Sequence, residues 1–217
     1  NLISVGFKEY FIKYAHPNYI FFTNGIDEEF LSLPASTVNK REEKIIVYAG
    51  NIGEGQGLHK IIPKAARKLM GKCRFIIIGD GGAKGKLLTE LKDMGVENVQ
   101  LIDPLPRKEL KKIYADADFL MLHLNDYDAF KKVLPSKVFE LAASDPPLLA
   151  GVGGFAGEFI KKNITCNILF SPGDVDSFVE QLLNFKYKTE FRRSFIERFK
   201  RETINREMVK SILSYIV

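Results

Sequence analysis

From residue 45 to residue 183 the chain alternates short apolar runs with helical stretches, and that alternation limits the fold more than any other feature. The runs lie at 45–49, 74–78, 99–102, 119–124, 148–150 and 167–170. Helix candidates fill the gaps at 58–70, 83–94, 108–115, 136–143, 154–161 and 175–183. In the first of these, Leu58, Ile61, Ile62, Ala65 and Leu69 share one face at the helical period. Strands that are apolar throughout have both faces covered, and strands separated by helices pair in parallel. The expected fold is therefore α/β: a Rossmann-like parallel sheet with helices on both faces. In such sheets ligands bind beyond the carboxyl ends of the strands. That directs attention to four connections, at 50–57, 79–84, 103–107 and 125–135.

The flanks are less regular. A short amphipathic stretch at 7–14, an apolar run at 19–22 and the turn pair Asn24-Gly25 precede a mixed segment at 31–44 that contains Pro34. The segment reads as a linker, which divides the chain into 1–44 and a domain at 45–217 closed by further helices between 189 and 215. A chain of 217 residues, 46% hydrophobic and 27% charged, has room for a sizeable core. No apolar run approaches the roughly 20 residues that span a membrane. The chain begins at Asn1 rather than Met, which suggests a fragment or a processed product. Cys73 and Cys166 follow no disulfide or metal spacing and suit a reducing compartment. His16, His59 and His123 lack metal-ligand spacing as well.

The net charge of +5 suits anionic partners. Lys60, Lys64, Arg67 and Lys68 fall on one helix face; Arg192, Arg193, Arg198, Lys200 and Arg201 cluster near the end among Glu190, Glu197 and Glu202. Both read first as solvated helix faces, and peripheral contact with a membrane surface is a second reading for the later group. No helix-turn-helix, zinc or RNA-recognition pattern accompanies the charge, so nucleic acid is not an expected partner.

Three connections carry candidate chemistry. Residues 50–57 (GNIGEGQG) hold four glycines in eight positions, letting backbone N–H groups approach an anion. Gly79, Asp80 and Gly81 open a Gly-x-Gly pattern that invites a dinucleotide reading, with Asp103 as its distant acid. The third glycine of that fingerprint would fall at Lys84. The long connection at 125–135 offers Asp126, Asp128, Lys131 and Lys132. It leads into residues 134–150 (LPSKVFELAASDPPLLA), where Pro135 suits a first helical turn and Ser136, Lys137 and Glu140 follow within a turn. A helix start with Lys137 would attract phosphate, and Glu140 could accept two hydrogen bonds from a sugar diol. The same residues also make an ordinary solvated amphipathic helix.

The order of these motifs resembles the C-terminal half of GT-B glycosyltransferases. YAGNIGEGQGL, FIIIGDGG, NVQLIDPLPRKELKKIYADADFLMLHL, PSKVFELAAS, PLLAGVGG and ILFSPGD follow one another as in family 4, most like the amino-sugar transferases of bacterial O-antigen and capsule assembly. The resemblance runs from about Ile45 to Leu183, and FFTNGIDEEF resembles the end of the preceding domain and its linker. It implies retaining transfer from a nucleotide-diphosphate sugar, UDP- or dTDP-linked, without a cofactor or metal. It also implies a lipid-linked saccharide acceptor held by an N-terminal domain this chain largely lacks, and work in the cytoplasm at the inner face of the plasma membrane. The chain alone would then bind donor without transferring sugar.

Residue by residue, the resemblance puts Gly50, Asn51, Gly53 and Gln56 beside the diphosphate. It puts Gly79, Asp80 and Gly81 on the nucleotide side and Leu105 at the base, with Ser136 and Lys137 near the phosphates and Glu140 on the ribose hydroxyls. Glu140 matches the second glutamate of the family's Glu-x7-Glu motif, but the first falls on Lys132. Asp126 or Asp128 could take that place, and these three are the catalytic candidates. The family's phosphate-binding Arg and Lys are replaced near Asn51 and Gln56. A GT-B nucleotide-sugar epimerase and an NAD-dependent oxidoreductase are the alternatives.

Overall fold

The computed structural model describes residues 1–13, 18–32 and 41–215. Tyr14, His16 and Pro34 lie outside them, and with them the end of the first expected helix and most of the expected linker. The chain opens with a 3-10 turn at Val5–Phe7 and a single helical turn, α1 (Lys8–Phe11), so the expected helix is shorter than its pattern. The apolar run at 19–22 is not a strand. Phe21 makes one isolated parallel bridge to Leu2 and finds no wider sheet among the described residues.

The regular alternation then follows its pattern closely. β1 (Lys44–Ala49), β2 (Cys73–Ile78), β3 (Val99–Ile102), β4 (Phe119–His123), β5 (Leu148–Gly151) and β6 (Asn167–Phe170) form one sheet in the order β3-β2-β1-β4-β5-β6. Every pairing is parallel. The intervening helices are α2 (Leu58–Lys68), α3 (Lys84–Asp93), α4 (Arg107–Asp116), α5 (Lys137–Ala142), α6 (Gly154–Asn163) and α7 (Val175–Asn184), with α8 (Arg193–Phe199) and α9 (Arg201–Leu213) closing the chain.

Alternate strand residues feed two separate cores, as the two-residue period of a strand requires. Val47, Ala49, Leu120, Leu122, Leu148 and Ala150 pack with α4, α5, α6 and α8. Ile46, Tyr48, Phe75, Ile77, Met121 and Leu149 pack with α2, α3 and α7. The leading segment is bound to the first of these layers through buried Ile26 and Phe30, and Ile26 N–H donates to the Phe199 carbonyl at 2.7 Å.

Two local expectations need correction. Pro135 is not in the first turn of α5; it precedes Ser136, which occupies the cap position with its hydroxyl unused. Arg192 does not belong to a solvated basic face. It is 4% exposed and holds the turn after α5, donating to the carbonyls of Ser144, Pro146 and, at 2.9 Å, Thr165.

Candidate functional site

β1 and β4 are neighbours, yet the chain leaves β1 toward β2 and leaves β4 toward β5. This reversal opens a crevice at the carboxyl ends of the strands, where open α/β sheets take their ligands. A cavity of about 290 Å³ lies there. Gly50, Asn51, Gly79, Asp80, Leu105 and Lys137 line it, drawn from three connections and the start of α5. Pro104 and Leu110 complete an apolar wall, and Leu110 could not be picked out from sequence because it is also an ordinary core position of α4.

The two glycine-rich connections interlock. Gly50 N–H donates to Ile78 O at 2.9 Å and Ile52 N–H to Asp80 O at 2.8 Å. Gly79 has φ +147°, and a β-carbon there would stand 1.9 Å from Gly50 O, so a side chain is excluded by both conformation and space. Gly81 packs against Asn51 in the same way. Asn51 Nδ2 donates to Gln56 Oε1 at 2.8 Å, and the Gly53 carbonyl receives both Gln56 and Gly57 N–H at 3.2 Å. Gln56 and Gly53 thus shape the loop from within rather than line the cavity.

From α5, Lys137 reaches the cavity lining, while Glu140, its ion-pair partner, lies outside it. Lys137 Nζ donates to both carboxylate oxygens of Glu140 at 2.9 Å, and Tyr114 O–H donates to Oε1 at 2.8 Å. Glu140 is 16% exposed and Lys137 30%. Burial first, then the charge of Glu140, holds the Tyr114 phenol protonated far above its ordinary range, so it remains a donor. Sequence reading missed Tyr114 as the partner of Glu140, because its position in α4 looks like plain core. α5 has six residues, too few for a strong dipole, so local anion attraction rests on Lys137 itself. Ser136 is exposed and outside the cavity lining.

The catalytic candidates stand apart. Asp126 and Asp128 flank Lys131 at 3.4 and 3.0 Å and are largely exposed. The Lys132 side chain is exposed, while its carbonyl accepts from Ser4 Oγ at 2.5 Å. None of the three lines the cavity.

The elements of the dinucleotide reading pair with each other. Lys84, in the place of a third glycine, lies 2.6 Å from Asp103 and 3.9 Å from Asp80. Asp103 holds Lys84 above its ordinary value, and Lys84 holds Asp103 below its own. The acid that would read a ribose is thus engaged by the residue that breaks the fingerprint. His123 is fully buried beneath the crevice floor; His59 Nε2 lies 3.6 Å from Glu54 beside the glycine loop. Among the described residues no group of three His, Cys, Asp or Glu is placed to hold a metal ion.

Comparison with known proteins places this geometry. Residues 31–202 match the model of the family described as glycosyl transferases group 1. WcaI of Escherichia coli (strain K12), a candidate colanic acid biosynthesis glycosyl transferase, is 27% identical over 176 residues, which cover 78% of this chain and 43% of WcaI. Alr3699/HepE of Anabaena, solved with UDP and glucose, superposes with a TM-score of 0.76 at 16% identity over 98% of this chain and 62% of its own. The lipopolysaccharide outer core galactosyltransferase WaaB, solved in its apo form, gives 0.74 at 17% identity over 98% and 61%. The chain thus spans less than two thirds of the length of each. The solved structures share its fold, the family model covers most of its length, and the chain belongs to the glycosyl transferases group 1 family.

Proposed function

We propose that this chain is the donor-binding part of a retaining glycosyltransferase that takes a nucleotide-diphosphate sugar, UDP- or dTDP-linked, for bacterial surface polysaccharide synthesis. Residues 45–217 would form the donor domain, and residues 1–44 the end of an acceptor-binding domain with its linker. One observation carries the reading: Lys137 lines a cavity walled by two glycine-rich connections at the sheet's topological switch point, and its ammonium is bonded to Glu140, which lies outside that lining. A cation and a carboxylate one helical turn apart match the two ends of a nucleoside diphosphate, phosphate and ribose. The UDP in the HepE structure and the names of WcaI and WaaB support the same substrate class and setting.

An ionised carboxylate offers about four lone-pair sites. Glu140 spends three contacts on Tyr114 and Lys137. Donor arrival would draw Lys137 toward the diphosphate and free Glu140 for the ribose hydroxyls, while Tyr114 keeps the carboxylate aimed. Lys137 and those loop N–H groups not already given to the Ile78, Asp80 and Gly53 carbonyls would stabilise charge developing on the leaving diphosphate, an electrostatic role that needs no cofactor. Asp126 or Asp128 would face the donor sugar in place of the glutamate replaced by Lys132. The acceptor, a lipid-linked saccharide, would be held by the rest of the protein at the inner face of the plasma membrane. Among the described residues no helix is long and apolar enough to cross a membrane.

Calorimetry of this chain with UDP, dTDP, GDP and NAD tests the reading. A nucleoside diphosphate is expected to bind more tightly than NAD, and Glu140→Ala to weaken it by roughly 1–3 kcal/mol, the worth of hydrogen bonds to a charged group. Preference for NAD would sink the proposal, and unchanged affinity in Glu140→Ala would remove that residue from the site.

A further inference from the structure

We infer that His123 and Asn125 are positioning residues that hold the glycine loop at 50–57 in the shape that meets the donor diphosphate. The inference rests on the donor-binding reading above. Three successive carbonyls of that loop are each held by the segment leaving β4. Glu54 O accepts from Asn125 Nδ2, Gly55 O accepts from Asn125 N–H at 2.8 Å, and Gln56 O accepts from His123 Nδ1 at 2.7 Å. Gly57, at φ +60°, comes so close that an added β-carbon would stand 2.1 Å from Asn125 Oδ1.

A loop rich in glycine loses much conformational freedom when ordered. Anchors on consecutive carbonyls fix it before a ligand arrives, which raises affinity by removing that ordering from the binding step.

Neither side chain lines the cavity, and each spends its side-chain donor on a loop carbonyl, so the role inferred for both is placement of the loop rather than contact with the donor. His123 is fully buried, stacked on Phe170 with ring centroids 6.1 Å apart. Its Nε2 accepts from Gly173 N–H at 3.1 Å. An accepting Nε2 fixes the tautomer, so the proton is on Nδ1 and is donated to Gln56. Both imidazole hydrogen bonds therefore run to loops, one after β1 and one after β6. An apolar side chain could fill the same space but could not hold the loop.

Two variants separate the two bonds. His123→Asn places an amide N–H near the position of Nδ1, whereas His123→Gln places its amide near Nε2. The chain with each substitution is titrated with UDP by calorimetry, and its thermal midpoint is measured alongside. His123→Asn is expected to keep UDP affinity within about twofold and His123→Gln to lose about tenfold, because loop placement rather than contact is at stake. Asn125→Asp, nearly isosteric but unable to donate to Glu54 O, is expected to lose about tenfold as well and serves as the test if the His123 variants do not fold. Equal affinities in all variants, losses that merely track the thermal midpoints, or the reverse order of Asn and Gln would overturn the inference. If the unsubstituted chain binds no nucleoside diphosphate, the donor-binding reading falls and takes this inference with it. If the unsubstituted chain binds UDP and His123→Gln and Asn125→Asp bind it equally well, only the inference falls.

Discussion

His123 is an imidazole held neutral at the base of a glycine loop. Burial pulls its affinity for a proton below the ordinary value near 6.5, and the bond to Gln56 O only partly opposes this. A proton on Nε2 would also remove the acceptor that Gly173 N–H uses. As pH falls below 6.5 the unfolded chain takes up this proton first, so it binds more protons than the folded chain and stability declines. The slope from this one group can reach about 1.4 kcal/mol per pH unit. Urea unfolding between pH 7 and pH 5 is expected to show a steeper loss for the unsubstituted chain than for His123→Asn; parallel curves would mean that His123 is not the group responsible. At this scale the sequence was partly readable. Lys137 and Glu140 stood out because charged residues at the start of a helix after a buried strand are conspicuous. Asn125 and Tyr114 did not, because one is an unremarkable loop residue and the other an unremarkable helix residue. Their partners, Glu54 and Glu140, are 71 and 26 positions away.

Arg192 shows how an element is held in place from a distance. Its guanidinium reaches carbonyls on the turn after α5 and on the turn before β6, at Ser144, Pro146, Thr165 and Cys166. Burial lowers its proton affinity, yet the group stays charged and its donors are matched to carbonyls. That turn follows α5, the helix carrying Lys137 and Glu140, so Arg192 braces one wall of the site. Arg192→Met would keep much of the volume and strand the carbonyls. A loss of roughly 3 kcal/mol is expected, since several buried acceptors go unpaired together. Arg192→Lys should recover little, because one ammonium cannot span the fork. Urea denaturation measures both, and a loss under about 1 kcal/mol in Arg192→Met would show that the turn keeps its shape unaided. The strands were legible because burial on both faces leaves an unbroken apolar run. Arg192 was not, because a buried arginine and a solvated one look alike until the chain around them is folded. The apolar run at 19–22 misled for a related reason: a strand needs a partner, and among the described residues Phe21 bridges only Leu2.

Over the whole molecule, the sheet and its crevice are formed while several large apolar side chains near the two ends are left exposed. The sheet, both its helical layers and the crevice at the switch point are all formed by residues 44–213. By contrast Ile3, Val5, Tyr10, Phe11 and Ile12 near one end, and Val209, Ile212, Leu213 and Tyr215 near the other, are each more than 40% exposed. Asn1 Nδ2 lies 3.9 Å from Met208 Sδ, so the two ends meet on one side of the fold. The chain spans 43% of WcaI and about 61% of WaaB. Under the proposal the acceptor is held by the rest of the protein, and donor binding and sugar transfer should therefore separate. This chain incubated with a radiolabelled UDP-sugar and membrane lipid extract is expected to bind the nucleotide without forming a labelled lipid product. The full-length protein is expected to form one, with the anomeric configuration of the donor kept when the linkage is read by NMR. Transfer by this chain alone would mean that the acceptor site lies within these residues, and inversion in the full-length product would refute the retaining mechanism. The distinction is physical: under the proposal a preformed crevice lowers the cost of binding the donor, but the reaction needs the acceptor hydroxyl held against the sugar at the same time.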